Sequence, residues 1–382
     1  MNRICVFNTL YAPNRKGGAE KSVQLVCEQL SCKGYKVDVV SIWDKVSPTY
    51  ENINGVDSYK WKPYNVYSVH NYSQNETGLL IKFVWQILDF FNLFMLFKSI
   101  CFFSKKKPDI VWTNNLSGFS LSIWVAAFIM RIPVCHTARD YYLLSNNVQL
   151  YKEEILKPKH NLVSKLKISL FHFLSKWLSS FVGISDFMLS LHLPYSRSKR
   201  HARIYNSVDY ADAIIKNNIT LKNNYVYGYM GQMNKAKGVE LLIKHFLENS
   251  NSSLILLAGN DEQNYGDKFL DSRVQFVGFQ SPSDFFSNID CLIVPSIWNE
   301  PFGRIVVEAI ANELPVLCSC SGGLLELSTV FESVRQIDFS REYDYDSTEM
   351  IFCEKDKEML NVMFSSDHIA NEYIDIFYGL VN

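Results

Sequence analysis

The sequence predicts an α/β protein of two domains, each built on a mostly parallel sheet. Its 382 residues exceed one ordinary compact domain and suit two of roughly 150–200 residues. From the N-terminus onward, short apolar runs alternate with helical patterns, the grammar of βαβ units. That grammar lapses over the polar residues 211–224 and restarts at Tyr225.

In the first half the expected strands are Ile4–Thr9, Lys36–Ile42, Asp109–Thr113, Pro133–Thr137 and Phe181–Ile184. A helix over Ala19–Ser31 ends near Gly34, a residue suited to the left-handed position after a helix. The segment Ile204–Asp209 closes this half. In the second half the expected strands are Tyr225–Met230, Ser253–Ala258, Val274–Val277, Asp290–Val294 and Pro315–Cys318, with helices between them. A last helix, Asp367–Gly379, is expected to cross back to the first domain. The boundaries are thus 1–208 for an N-terminal domain, 209–366 for a C-terminal domain and 367–382 for the returning helix.

Leu79–Phe103 is apolar nearly all round and, at 25 residues, long enough to span a bilayer. It carries Lys82, Asp89 and Lys98, and a central Asp alone costs about 2.5–3.5 kcal/mol on insertion scales. The span is set aside. Two readings stay open: a helix with an aromatic face available to lipid, and plain burial in the core.

The nine cysteines are scattered, several inside apolar runs, and form neither a Cys-x-x-Cys pair nor a disulfide framework. The chain begins directly on a strand, without a signal-peptide pattern, so a cytoplasmic protein is expected. Residues 1–205 hold 26 Lys and Arg against 13 Asp and Glu, whereas residues 206–382 hold 12 against 26. The halves therefore carry +13 and −14. A basic first half suits an anionic lipid surface or acceptor, and equally suits a pairing of the two halves by charge. No basic, aromatic-interleaved motif for nucleic acid is read.

The chemistry concentrates in Pro295-Ser296-Ile297-Trp298-Asn299-Glu300-Pro301-Phe302-Gly303-Arg304-Ile305-Val306-Val307-Glu308-Ala309. It follows an apolar strand and so lies at the carboxyl edge of a sheet, where open α/β folds bind ligands. Pro301 places Glu300 in the loop and permits a helix after it. Phe302 and Gly303 would then offer amides to an anion at the helix N-terminus. Glu308, one turn in, would turn a carboxylate toward the paired hydroxyls of a ribose.

This stretch resembles the signature of the family-four, GT-B glycosyltransferases, Glu-x7-Glu, met here by Glu300 and Glu308. Further matches are Gly17-Gly18-Ala19-Glu20, Asn206-x-Val208-Asp209, Gly231 with Lys237-Gly238, Gly278, Pro295-Ser296, Pro315-Val316 and Gly322-Gly323-x-x-Glu326. They cover nearly the whole chain. The resemblance implies two Rossmann-like domains facing each other across a cleft, and retaining transfer of a sugar from a UDP- or GDP-linked donor. A glycan or polyprenyl-linked acceptor at the inner face of the cell membrane is expected, as in O-antigen or capsule assembly.

By the same resemblance Glu300 acts at the donor sugar, Glu308 holds the ribose, and Lys237 neutralises the diphosphate. Gly18, Gly231, Gln232, Phe302, Gly303 and Arg304 are the remaining donor contacts. His136 and Asp140 are the other catalytic candidates. No cofactor or metal is expected, since no Asp-x-Asp motif with metal spacing is recognised.

Departures are also visible. Gln232 stands where the family often has Arg, and Arg139-Asp140 stand where it has His-Asp. His136 takes the His role or is a strand histidine. Glu313 replaces a helix-ending glycine, so Asn312 is expected to supply the left-handed residue. A nicotinamide dehydrogenase is disfavoured because Leu10–Glu20 lacks Gly-x-Gly-x-x-Gly. An exported two-lobed binding protein is disfavoured by the N-terminus. A catalytically silent protein of the same fold stays the alternative.

Overall fold

The structure is a computed structural model that describes residues 1–14, 17–43, 49–66, 78–145, 162–208, 225–348 and 350–381. The connection expected at 211–224, and Asp209, lie outside the described residues. The described residues form two compact units, the first from residues up to 145, from 162 to 207 and from 366 onward, the second from residues 208 to 365.

In the first unit the apolar runs become strands β1 (Arg3–Phe7), β2 (Lys36–Ile42), β5 (Ile110–Thr113), β6 (Val134–Ala138) and β7 (Ser180–Gly183). They pair in parallel, with β1 between β2 and β5. Three strands escaped the sequence reading: β3 (Tyr50–Ile53), β4 (Val56–Trp61) and β8 (His201–Arg203). The β3–β4 pair is an antiparallel hairpin turning at Asn54-Gly55, both with positive φ (49° and 83°). Asn-Gly is the sequence signal for that type I′ turn. The full order is β3-β4-β2-β1-β5-β6-β7-β8, which reverses direction between β1 and β5.

Helices α1 (Gly18–Cys32), α2 (Leu79–Phe90), α3 (Leu93–Lys106), α4 (Ser122–Ile129), α5 (Leu162–Leu174) and α6 (Asp186–His192) join these strands. The apolar segment predicted as one helix is therefore two. Phe91 and Asn92 are extended, and Asn92 caps α3 by accepting a hydrogen bond from Met95 N (3.1 Å). Asn92 also donates to the Tyr64 carbonyl (2.5 Å), and its own amide donates to Ser120 Oγ (3.1 Å). Core burial, one of the two sequence readings, holds for one face only: Leu80, Phe94 and Phe97 are 76%, 69% and 65% exposed.

The second unit is a six-stranded, all-parallel sheet of order β11-β10-β9-β12-β13-β14. Its strands are β9 (Val226–Met230), β10 (Leu254–Ala258), β11 (Val274–Gly278), β12 (Cys291–Val294), β13 (Val316–Cys318) and β14 (Val334–Gln336), the last not anticipated. Helices α7 (Val239–Asn249), α8 (Tyr265–Lys268), α9 (Pro282–Phe286), α10 (Arg304–Ala311), α11 (Gly323–Val330) and α12 (Lys355–Phe364) complete it. Tyr227, Phe246 and Tyr345 meet in its core, and Tyr227 OH donates to the Tyr345 carbonyl (3.0 Å). The order reverses between β9 and β12, which opens a ligand crevice at their carboxyl ends.

The last helix, α13 (Ser366–Val381), belongs to the first unit. Its Tyr373 is buried, shares a hydrogen bond with Thr137 Oγ1 (3.1 Å) and packs on Trp112 at 4.5 Å between ring centroids. Lys33 pairs with Asp367 at 2.5 Å beside it. After α10 the left-handed residue is Glu313 (φ 58°), not Asn312 (φ −99°). Glu313 bears that strain while Lys357 meets its carboxylate at 2.7 Å.

Asp89, in the last turn of α2, is buried and accepts a hydrogen bond from Gly118 N (2.5 Å). Loss of water raises its carboxyl from 3.8 to about 6, and the same loss lowers Lys167 from 10.5 to about 8. Native Asp89 keeps its proton where the unfolded chain has released it, so stability falls as pH rises from about 4 to 6. Native Lys167 loses its proton before the unfolded chain does, so its contribution to stability rises above pH 8. A melting-temperature profile of Asp89→Asn is expected to lose the decline between pH 4 and 6. Parallel profiles for variant and wild type would show that Asp89 is not the titrating group.

Candidate functional site

The crevice of the second unit collects the residues that the sequence singled out. Strand β12 ends at Val294, and the loop beyond it buries Glu300. One carboxylate oxygen, Oε1, accepts from Lys237 Nζ (2.5 Å), Ser296 Oγ (2.7 Å) and Trp298 Nε1 (3.0 Å). No hydrogen bond reaches Oε2 from the described residues. Three donors on one oxygen fix the rotamer and leave the other for a ligand, while a buried carboxylate without donors would be strongly disfavoured.

Backbone packing sets the loop. Gly323 N donates to the Glu300 carbonyl (2.7 Å), and Gly322 lies so close that a Cβ would stand 2.3 Å from the same oxygen. Gly303 has φ 98° and starts α10 at Arg304. Val306 N donates to the Gly303 carbonyl (2.9 Å), the bond that opens α10. Phe302 is a core residue facing Phe364 at 6.1 Å. Glu308 lies one turn into α10, where Arg304 Nε donates to its Oε1 (2.8 Å).

Lys237 closes a 3-10 turn, Lys235–Lys237, whose amide is capped by Asn234 Oδ1 (3.2 Å). The sequence left its charge beside a positive helix end. In the structure Glu300 meets that charge, and the ammonium also lies 5.2 Å from the Trp298 ring. Gly231 (φ 155°) follows β9, and Gln232 is exposed there, its carbonyl accepting from Tyr229 OH (2.7 Å).

In the first unit Gly18 opens α1, exposed at the helix N-terminus. There Glu20 Oε2 already accepts from Gly17 N (2.9 Å). His136 requires a correction as a catalytic candidate. It is buried in β6, shares a hydrogen bond between Nδ1 and Thr113 Oγ1 (2.9 Å), and lies 5.0 Å from the Trp124 ring. Burial holds it neutral, well below its ordinary range. This is a core histidine. The neighbouring Arg139 is buried too, donating to Asn114 Oδ1 (2.8 Å) and to Asn206 Oδ1. Asp140 is half-buried at the end of β6, accepts from Tyr142 N (2.9 Å), and is raised above its ordinary range by loss of water.

The chain does hold one Asp-x-Asp triplet, Asp344-Tyr345-Asp346, which the sequence reading passes over. Asp346 accepts from Ser250 Oγ and from the amides of Asn251, Ser252 and Ser253. Asp344 accepts from the amides of Asp346 and Ser347, and Tyr345 is core. The triplet anchors a loop.

Two family models match the chain: "Glycosyltransferase Family 4" over residues 16–212 and "Glycosyl transferases group 1" over residues 211–334. A Klebsiella pneumoniae protein described as an uncharacterized 42.6 kDa protein in cps region is 33% identical over 385 residues, 99% of this chain and 100% of its own. The chain belongs to glycosyltransferase family 4, with the GT-B fold.

The glycosyltransferase is also 25% identical over 277 residues to the capsular polysaccharide biosynthesis glycosyltransferase CapM of Staphylococcus aureus, covering 66% of this chain and 69% of CapM. Among solved structures, sucrose-phosphate synthase from Thermosynechococcus elongatus shares the fold (TM-score 0.73, 16% identity, 100% of this chain and 99% of that one). Anabaena HepE in complex with UDP does so too (TM-score 0.72, 16% identity, 99% and 100%).

Sequence reasoning missed Ser296 and Trp298 as partners of Glu300. Their positions, four and two residues before it in one loop, were the available signal. The Lys237→Met glycosyltransferase is expected to lose about 1–3 kcal/mol, with Glu300 left short of a charged donor. Adding Glu300→Gln is expected to cost less than the sum of the two single changes in denaturant unfolding. Additive effects would show that the pair is uncoupled.

Proposed function

We propose that this glycosyltransferase moves a hexosyl group from a nucleotide-sugar donor, UDP- or GDP-linked, with retention and without a metal ion. The acceptor is a glycan or a polyprenyl-linked sugar, in the assembly of a surface polysaccharide of capsule or O-antigen type at the cytoplasmic face of a membrane. The observation that carries the reading is the Glu300 carboxylate, held on Oε1 by three donors and open on Oε2. The cps-region relative and CapM support the polysaccharide assignment.

In this reading Glu300 Oε2 accepts from hydroxyls of the donor sugar and faces the positive charge that grows at the anomeric carbon. The bond from that carbon to the diphosphate breaks, and its electron pair leaves on the phosphate oxygen. Lys237 and the amides opening α10 lie where that developing charge needs donors. The acceptor hydroxyl attacks on the vacated face and passes its proton to the departing phosphate. Glu308, oriented by Arg304, takes the ribose hydroxyls.

Glu308→Ala is expected to weaken donor binding at least about tenfold by calorimetry. Glu300→Gln is expected to lower kcat by about 10²–10³ with little change in binding. Wild-type behaviour in both variants would remove the site assignment, and donor binding without turnover in the wild type would leave a silent nucleotide-sugar binder. Activity in excess EDTA is expected to equal that with magnesium. Loss on chelation that only added metal restores would overturn metal independence.

A further inference from the structure

The helices on the outside of the first unit leave a surface that its own fold does not cover. On α2 the exposed apolar side chains are Leu80, Ile81, Phe83, Val84 and Ile87, and on α3 they are Leu93, Phe94 and Phe97. Leu80, Phe83, Val84 and Ile87, and Leu93 or Phe94 with Phe97, are three or four residues apart, so each helix shows an apolar stripe, widened by Ile81 on α2. The stripe continues onto neighbours that touch these helices. Ser104 of α3 donates to Met130 Sδ at the end of α4, where Phe128 and Ile129 are half exposed. Phe128 stacks on Trp177 at 4.6 Å, and Trp177 meets the exposed Phe173 of α5 at 6.0 Å. Lys167 of α5 lies 4.6 Å from the Phe90 ring of α2. Soluble monomers rarely leave so many large apolar groups adjacent.

Among the described residues of these helices the exposed charge has one sign. Lys82, Lys105, Lys107, Arg131, Lys165 and Lys176 are exposed or half exposed on the same helices and their ends. The only acid in residues 79–107, 122–131 and 162–177 is Asp89, which is buried. Lys106, between the exposed Lys105 and Lys107, is withdrawn: it pairs with Asp38 at 3.1 Å and donates to Tyr59 OH. Arg200 and Arg203 are likewise engaged, with the Gly379 carbonyl (2.6 Å) and with Asp186 (3.8 Å).

The geometry points to an in-plane docking face for an anionic lipid bilayer, formed by α2, α3 and the ends of α4 and α5. By length and composition the stretch Leu80–Lys106 could cross a membrane. The break at Phe91–Asn92 prevents it. Its two helices, of 12 and 14 residues, run only about 18 and 21 Å, against a hydrocarbon core of about 30 Å. The inner face of α3 (Met95, Leu96, Ser99 and Phe103) is buried in the unit, so crossing would unmake that core. Lying in the interface needs no such change: the stripes enter the acyl boundary and the basic rim meets phosphate headgroups. A second copy of the chain fits poorly, since it would set basic rim against basic rim. The inference adds a surface to the proposed reaction and does not depend on the donor site.

Co-sedimentation with vesicles of phosphatidylcholine alone, and of phosphatidylcholine with phosphatidylglycerol, tests it. The full chain is expected to partition more strongly to the anionic vesicles, to leave them in high salt, and to be released by alkaline carbonate. Phe94→Ser with Phe97→Ser, and separately Lys105→Gln with Lys107→Gln, are each expected to lower partition about tenfold. Both pairs lie on the exposed side, and donor titration in the same variants should match wild type, which separates loss of docking from loss of the donor site. Equal pelleting with neutral vesicles, no pelleting, unchanged partition of the variants, or retention through carbonate would each overturn the proposal. So would a concentration-dependent dimer that the Phe94 and Phe97 changes abolish.

Discussion

A carboxylate taken out of water must be met by donors, and the meeting of Glu300 with Lys237, Ser296 and Trp298 organises the second unit's crevice. The demand reaches in several directions at once. Ser296 and Trp298 come from the loop after β12, and Lys237 from the turn before α7. Gly322 and Gly323 bring the start of α11 against the Glu300 backbone. Because β9 and β12 are neighbours in the sheet, their loops emerge side by side and can share one ion pair. The sheet order is therefore a condition for the site as much as for the core.

Chemistry and stability draw on the same contacts. The pair with Lys237 contributes to stability only while both members are present, because either alone is a partly buried charge. It also holds Oε1, while no hydrogen bond from the described residues reaches Oε2. In the first unit, polar burial is used for a different end. Arg139, Asn114 and Asn206 satisfy one another beneath the strand ends, and His136 completes an aromatic core with Trp124 and Phe181. His136 is thereby a buried core residue with Nδ1 on Thr113, and nearness to a motif position does not by itself give a residue an accessible place.

Asn92 shows how a single polar side chain changes the meaning of an apolar segment. Its side chain accepts from Met95 N and donates to the Tyr64 carbonyl, and its backbone amide donates to Ser120 Oγ. The cap begins a second helix where one long helix was expected. Asp89, bonded to Gly118, secures the end of the first. The outward stripes of α2 and α3 then lie on a folded domain, which turns a composition that resembles a membrane span into a surface.

The central parallel strands were legible because each is a short run of apolar residues, buried on both faces and bounded by turns. The two glutamates, Lys237 and the glycines around them were legible because their spacing and order survive in one dimension. The β3–β4 hairpin escaped although Asn54-Gly55 signals its turn, because its strands are short and partly exposed and their pattern is faint. Tertiary structure alone decided the rest. It set Lys237 against Glu300 across 63 residues, assigned the left-handed position to Glu313 through the partner Lys357, and spent Asp344 and Asp346 on loop amides. It also buried His136. Those outcomes depend on which groups meet once strands are ordered into a sheet, and periodicity and spacing along the chain carry no record of that order.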